Sequence, residues 1–186
     1  MFALLSALLL LPTTAPVPKP HAIDKAHSEI NFVAEARFLS AHGFFATWDA
    51  EVSLDHENMP GSSVKITIDT KSLNTRNDRR DNHLRSNDFF AADSFPQITF
   101  VSKAITAAGD KQWMMTGDLT VRGRTREVTV PIREVFYEAA PAGARGRFKG
   151  AFSLKRMEYG LAYQSRLNPI EDEIQVQWEI SVIEKS

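Results

Sequence analysis

Apolar and polar residues alternate with period two along most of the chain beyond residue 20. The pattern is clearest near the C-terminus. There Ile174, Val176, Trp178, Ile180 and Val182 fall on one face, with Glu173, Gln175, Gln177, Glu179 and Ser181 on the other. The same plan recurs in Ala46, Trp48, Ala50, Val52 and Leu54, in Val64, Ile66 and Ile68, in Trp113, Met115, Gly117, Leu119 and Val121, and in Phe148, Gly150, Phe152 and Leu154. Period two is the signature of strands that bury one face. Ser28–Leu39, Ile98–Ile105 and Glu127–Val135 bring the count to about eight strands. They are separated by turn signals such as Asn58-Met59-Pro60-Gly61, Arg122-Gly123-Arg124 and Ala140-Pro141-Ala142-Gly143. Only Asp78–Arg85 reads as a helix, with Asn77 as its N-cap, and a second short helix is expected over Pro169–Asp172. The fold class is therefore all-β and antiparallel. A sandwich and a closed barrel both bury one face of every strand, and the pattern does not choose between them.

One stretch breaks the alternation. Arg79-Arg80-Asp81-Asn82-His83-Leu84-Arg85-Ser86-Asn87-Asp88 runs directly into Phe89-Phe90, and Phe95-Pro96-Gln97-Ile98-Thr99-Phe100 follows. Charge set against aromatic surface suggests a polar rim beside an apolar interior. Phe32, Phe45, Trp48, Phe100, Trp113, Phe152 and Trp178 lie on the apolar faces, and Phe89 and Phe90 join them from the stub. They form either a packed core or the wall of a channel that holds a lipid tail. Gly43, Gly117 and Gly150 on the same faces remove volume or mark bends. Arg80, His83 and Arg85 are candidates for a polar headgroup. The architectural alternative has Asp81 pairing with an arginine, His83 satisfying a loop carbonyl and Leu84 plugging the barrel end.

Composition narrows the function. The 186 residues carry a net charge of −1, which offers no basic excess for nucleic acid. There is no cysteine, hence no disulfide, thiolate metal site or cysteine nucleophile. The five histidines show neither i, i+4 nor His-x-His spacing, so no metal is expected. No nucleophile-elbow pattern surrounds any serine, and neither catalysis nor a cofactor is expected. The apolar run Phe2–Leu11, followed by Thr13 and Ala15, reads as a signal peptide over residues 1–15. It is too short to span a bilayer, which takes roughly 20 residues. Residues 16–21, with Pro16, Pro18 and Pro20, read as a flexible leader, and 22–186 as one domain, periplasmic or secreted. Two other classes fit the alternation: an outer-membrane barrel, since alternation does not say which face is outside, and a stress-related interaction protein with a solid core.

In order and spacing, several segments resemble the YceI-like family of exported lipid-binding proteins. They are His27-Ser28-Glu29-Ile30-Asn31-Phe32, then Gly43-Phe44-Phe45 with Trp48 and Ala50, Arg80–Ser86 with Asp88-Phe89-Phe90, Phe95–Phe100, Gly117-Asp118-Leu119-Thr120 with Gly123 and Val128, and Arg156–Gly160. The resemblance spans about Ala22 to Ile183. It departs at Arg37, where the family often carries histidine, and at Glu158 and Tyr159, which replace aspartate and phenylalanine. It implies an extended, lipocalin-like barrel of eight antiparallel strands. Its channel would bind an isoprenoid-type amphiphile (a polyprenyl chain, an isoprenoid quinone or a fatty-acid-like lipid) for transport or storage. It adds Arg37 to the headgroup candidates. Peripheral membrane contact and a homodimer stay open.

Overall fold

Every inward row of apolar residues needs a facing row, and the chain provides it by closing one sheet on itself. The computed structural model describes residues 17–185. The signal peptide expected over residues 1–15 lies outside them. The strands are β1 (Lys19–Ile23), β2 (Glu29–Ala36), β3 (Leu39–Phe45), β4 (Trp48–Leu54), β5 (Ser63–Asp69), β6 (Leu73–Asn74), β7 (Gln97–Gly109), β8 (Gln112–Val121), β9 (Arg124–Glu138), β10 (Arg145–Lys155) and β11 (Ile170–Glu184). Three consecutive pairs are single strands with a local break. A 3₁₀ turn at Lys25–His27 interrupts β1/β2, a bend at Ala46–Thr47 interrupts β3/β4, and a 3₁₀ turn at Thr70–Ser72 interrupts β5/β6. Two of the breaks are Asx-type: the carboxylates of Asp24 and Asp69 accept from the Ala26 and Lys71 amides at 3.2 and 2.9 Å. Eleven segments less three breaks leave eight strands, and these run up and down in sequence order. β11 pairs with β10 on one side and with β1 and β2 on the other, so the barrel is closed and antiparallel throughout.

Two expectations need correction. The flexible leader over 16–21 ends early, because Lys19–Ile23 already pairs with both β4 and β11. Pro20 demotes this segment as a strand in the sequence, but two neighbouring edges need a partner there. The helix expected at Pro169–Asp172 is absent: Ile170 begins β11, and the short 3₁₀ helix is instead Arg156–Tyr159. Helix α1 (Asp78–Arg85) forms as read, with the Asn77 side chain accepting from the Arg80 amide at 3.0 Å. The tight turn between β8 and β9 puts Arg122 and Gly123 both at positive φ, the requirement of a two-residue hairpin loop.

The inward glycines are seats for aromatic rings. An added Cβ at Gly43 would lie 2.3 Å from the Phe32 ring, at Gly117 2.6 Å from Phe100, and at Gly150 2.7 Å from Trp178. Each ring lies flat over a glycine on a neighbouring strand, so the aromatics line the wall as plates. Gly150 is also pressed against the Pro131 carbonyl, 2.1 Å from the position a Cβ would take. The β9–β10 ladder ends just there, at Lys149↔Arg133, since proline has no N–H to give. Gly150→Ala is expected to lower the unfolding free energy by about 3 kcal/mol, because both backbone and indole must shift. Urea denaturation checks this; an unchanged midpoint would show that the seam yields freely.

The outer wall is polar. Lys65–Glu51 and Lys103–Asp118 form ion pairs there at 2.7 and 2.6 Å, and Arg147 pairs with Glu179. A membrane-embedded barrel needs an apolar exterior belt, so this arrangement is the inverse of an outer-membrane barrel.

Candidate functional site

The barrel is hollow. A cavity of about 970 Å³ runs along its interior. Sites for small molecules span roughly 300–1,000 Å³, so this one is at the large end. Eight strands leave an interior that side chains can just fill or that can hold a ligand. Here the inward residues include Ala34, Ala36 and Ala41 and the rings laid flat over glycines, and the sum falls short of filling it. The solid core of the interaction-protein alternative is thereby overturned.

The two ends differ. At one end the chain between β4 and β5 forms the floor: Met59 lines the cavity and is buried. His56 pins this strap, stacking on Tyr137 with centroids 3.6 Å apart, its Nε2 lying 2.8 Å from the buried carboxylate of Glu134. Lys111 reaches the same carboxylate at 3.2 Å. Burial pushes the Tyr137 hydroxyl pKa up, and the Glu184 carboxylate adds to the shift.

The other end is the mouth. There α1, the β2–β3 turn and the segment between β10 and β11 surround the cavity. Most of its polar lining residues gather here, Asn77, Arg79, Arg80, His83, Arg156, Ser165 and Asn168, while Ser62 lies at the floor. A ring cluster ties these segments together. His83 meets Phe89 and Tyr163 edge-on at 5.0 and 4.7 Å, and Phe90 meets Phe45 at 6.4 Å.

Of the nine aromatics expected at a tail site, seven line the cavity: Phe32, Phe45, Phe89, Phe90, Phe100, Phe152 and Trp178. Trp48 and Trp113 do not. Trp48 packs against the turn that separates β1 from β2, with Lys25 Nζ 3.7 Å from its ring centroid. Trp113 faces a separate depression beside Pro131 and Gly150, towards the closed end. Strand parity is correct for both, but parity does not report depth along the barrel.

The headgroup candidates divide in the same way. Arg80 and His83 line the mouth; Arg37 and Arg85 do not. Arg85 is committed to the carbonyls of Lys71 and Leu73, at 2.9 and 2.6 Å. Arg37 is exposed in the turn between β2 and β3. Arg80 is half committed, donating to the Thr75 hydroxyl and carbonyl at 2.7 and 2.9 Å. Asp81 is buried, but its partner is not an arginine. It accepts from the Thr75 amide and hydroxyl at 2.9 and 2.5 Å. His83 contacts the Asp88 carboxylate at 2.8 Å rather than a loop carbonyl, and Leu84 lines the cavity instead of plugging it.

Three elements of the mouth escaped the sequence reading. Arg79 is exposed at the rim with no side-chain partner among the described residues, which makes it the available cation beside the cavity. Tyr163, Ser165 and Asn168 lie in a stretch without periodicity. Arg156 is buried at 3% exposure with four backbone carbonyls around it. It donates to Tyr163, Ile170 and Glu171 at 3.0, 3.0 and 2.9 Å, and to Leu161. Burial pulls its guanidinium below the usual arginine range, and the carbonyls take over the solvation that water would supply. The opening Arg-x-x-Tyr-Gly of the segment was its one visible signal.

Comparison with known proteins gives a consistent picture. The model of the YceI-like domain matches residues 21–182. A UPF0312 protein of Vibrio cholerae is 31% identical over 154 residues, covering 82% of each chain. The crystal structure of BcnA from Burkholderia cenocepacia is 27% identical, with a TM-score of 0.78 over 86% of this chain and 98% of that one. A polyisoprenoid binding domain from Saccharophagus degradans has the same fold at 14% identity, with a TM-score of 0.66 over 90% of this chain and 99% of its own.

Proposed function

We propose that this chain, which belongs to the YceI-like domain family, is a non-catalytic binding protein. Its barrel takes the hydrocarbon tail of one isoprenoid-type amphiphile, with the polar end at the mouth. The single observation that carries this reading is the apolar cavity of about 970 Å³ with its arginines and its histidine confined to one end. The shared fold of a polyisoprenoid binding domain agrees with it. Each buried methylene contributes about 0.8 kcal/mol, so a tail burying the equivalent of ten gains roughly 8 kcal/mol against ordering costs of about 4 or more. The tail supplies affinity, while Arg79, Arg80, Asn77 and His83 orient the head. Broad tolerance among tails follows. Export to the periplasm or the medium suits a carrier or store of such a lipid, and the apolar run at residues 2–11 supports it.

Native mass spectrometry of the purified full chain, followed by organic extraction, tests the reading. A stoichiometric prenyl lipid or quinone is expected, and repeated recovery of protein that neither carries nor takes up any such molecule refutes it. Trp178 is the natural optical reporter: it lines the cavity, and its buried Nε1 has no hydrogen-bond partner among the described residues. Titration with a prenyl alcohol is expected to shift its emission. Trp48 lies off the cavity, so in Trp178→Phe the shift should disappear although Trp48 remains; a shift that persists would place the ligand elsewhere.

A further inference from the structure

We propose that the rim of the cavity mouth is a docking surface for an anionic lipid bilayer, through which the amphiphile passes between membrane and barrel. The inference rests on the amphiphile-binding reading and adds where exchange occurs. Phe38 and Leu167 are the large apolar side chains most exposed at this end, at 72% and 81%. They come from distant parts of the sequence, but the structure brings their segments together. The Phe38 amide donates to the Asn168 side chain at 3.1 Å, and the Arg37 amide donates to the Pro169 carbonyl at 3.2 Å. Next to them Leu39 is exposed at its outer part and lines the cavity, so the apolar surface is continuous from solvent into the interior.

Charge indicates what covers this patch. Arg37 and Arg166 each adjoin one of the exposed apolar residues in sequence, and Arg79 stands on the rim. All three are exposed, and none of their side chains has an ion-pair or hydrogen-bond partner among the described residues. On the outer wall Lys65, Lys103 and Arg147 are paired with carboxylates, and the exposed, unpaired Arg133 and Arg145 there have no protruding Phe or Leu at the cavity mouth beside them. Protruding Phe and Leu flanked by unpaired Arg is the chemistry of an interfacial anchor on anionic headgroups. A tail leaving the bilayer there would stay against apolar surface, whereas a free crossing of water exposes each methylene.

The test uses the full chain, with the same N-terminus in every variant, and sedimentation on vesicles of phosphatidylcholine alone or equimolar with phosphatidylglycerol. Phe38→Ser with Leu167→Ser is expected to weaken partitioning onto the anionic vesicles by roughly 100-fold, about tenfold for each side chain withdrawn. Arg37→Gln with Arg166→Gln is expected to weaken it by roughly 25-fold, with little effect on neutral vesicles. The indole added by Phe38→Trp is expected to be quenched by brominated acyl chains. Partitioning that is absent, or equal in all variants, overturns the proposal. An unquenched indole does so too, as does a dimer that depends on Phe38 and Leu167. Prenyl-alcohol binding without vesicles, read by Trp178 emission, separates the two ideas. If it persists while docking fails, only the docking surface is lost; if docking succeeds and no amphiphile binds, the cavity reading falls, the exchange role falls with it, and the membrane contact alone stands.

Discussion

Ala34→Trp is expected to remove amphiphile binding while the barrel stays folded. Ala34 lines the cavity between Ile174 on β11 and Ala41 on β3, where the wall carries little side-chain volume. An indole there enters space that is otherwise available to the tail. Displacing the equivalent of five methylenes forfeits about 4 kcal/mol, a loss of roughly 1,000-fold in affinity. In a filled core the same change would cost stability through overpacking. Here the volume already exists, so the thermal midpoint should hold or rise. Ala151→Trp makes the identical change on the exposed outer face of β10 and should leave affinity unaltered. Titration with a prenyl alcohol, followed by calorimetry because a new tryptophan complicates fluorescence, compares the two. Equal affinities for wild type and Ala34→Trp would place the tail outside the barrel.

The second large effect concerns the mouth. Arg156→Leu keeps the aliphatic volume but leaves the carbonyls of Leu161, Tyr163, Ile170 and Glu171 without their common donor. Hydrogen bonds to a charged group are worth more than neutral ones, and unsatisfied buried carbonyls are costly. A loss of about 4 kcal/mol in unfolding free energy is expected. The damage should be local first: amide exchange should accelerate across residues 161–170 before the rest of the barrel responds. Arg156→Lys carries the charge but cannot fan out to four acceptors, so it should recover only part of the stability. Hydrogen-exchange mass spectrometry distinguishes this from a diffuse effect. Uniform acceleration across all strands would mean that Arg156 supports the barrel as a whole rather than the segment that frames its mouth.

The charged stub shows how much of the site could be read in advance. Asn77 as a cap and the helix after it are local matters, and both stand in the structure as expected. The partners of the stub are not local. Asp81 turns back on Thr75, and Arg85 reaches Lys71 and Leu73 across the break between β5 and β6. Of the cationic residues on the stub, Arg79 has no partner among the described residues, and a difference of one position on a short helix separates it from the half-committed Arg80. Trp48 and Trp113 make the same point on strands. Both lie on the inward rows, but where a row meets a break or an end of the barrel its side chains leave the common cavity.

Alternation of apolar and polar residues is a property of neighbours in the chain, so the strands, their buried faces, the short helix and the all-β class followed from the sequence by itself. Closure and hollowness are sums over the whole ring. Lys19–Ile23 becomes a strand only because β4 and β11 leave it two edges to fill. The interior is empty only because small residues and flat-lying rings from several strands meet at the same depth. The polar mouth likewise collects residues from α1, the β2–β3 turn and the segment before β11, whose separation along the chain carries no sign that they share one rim. Those distances are set by strand register and by the return of the sheet on itself, which only the tertiary structure decides.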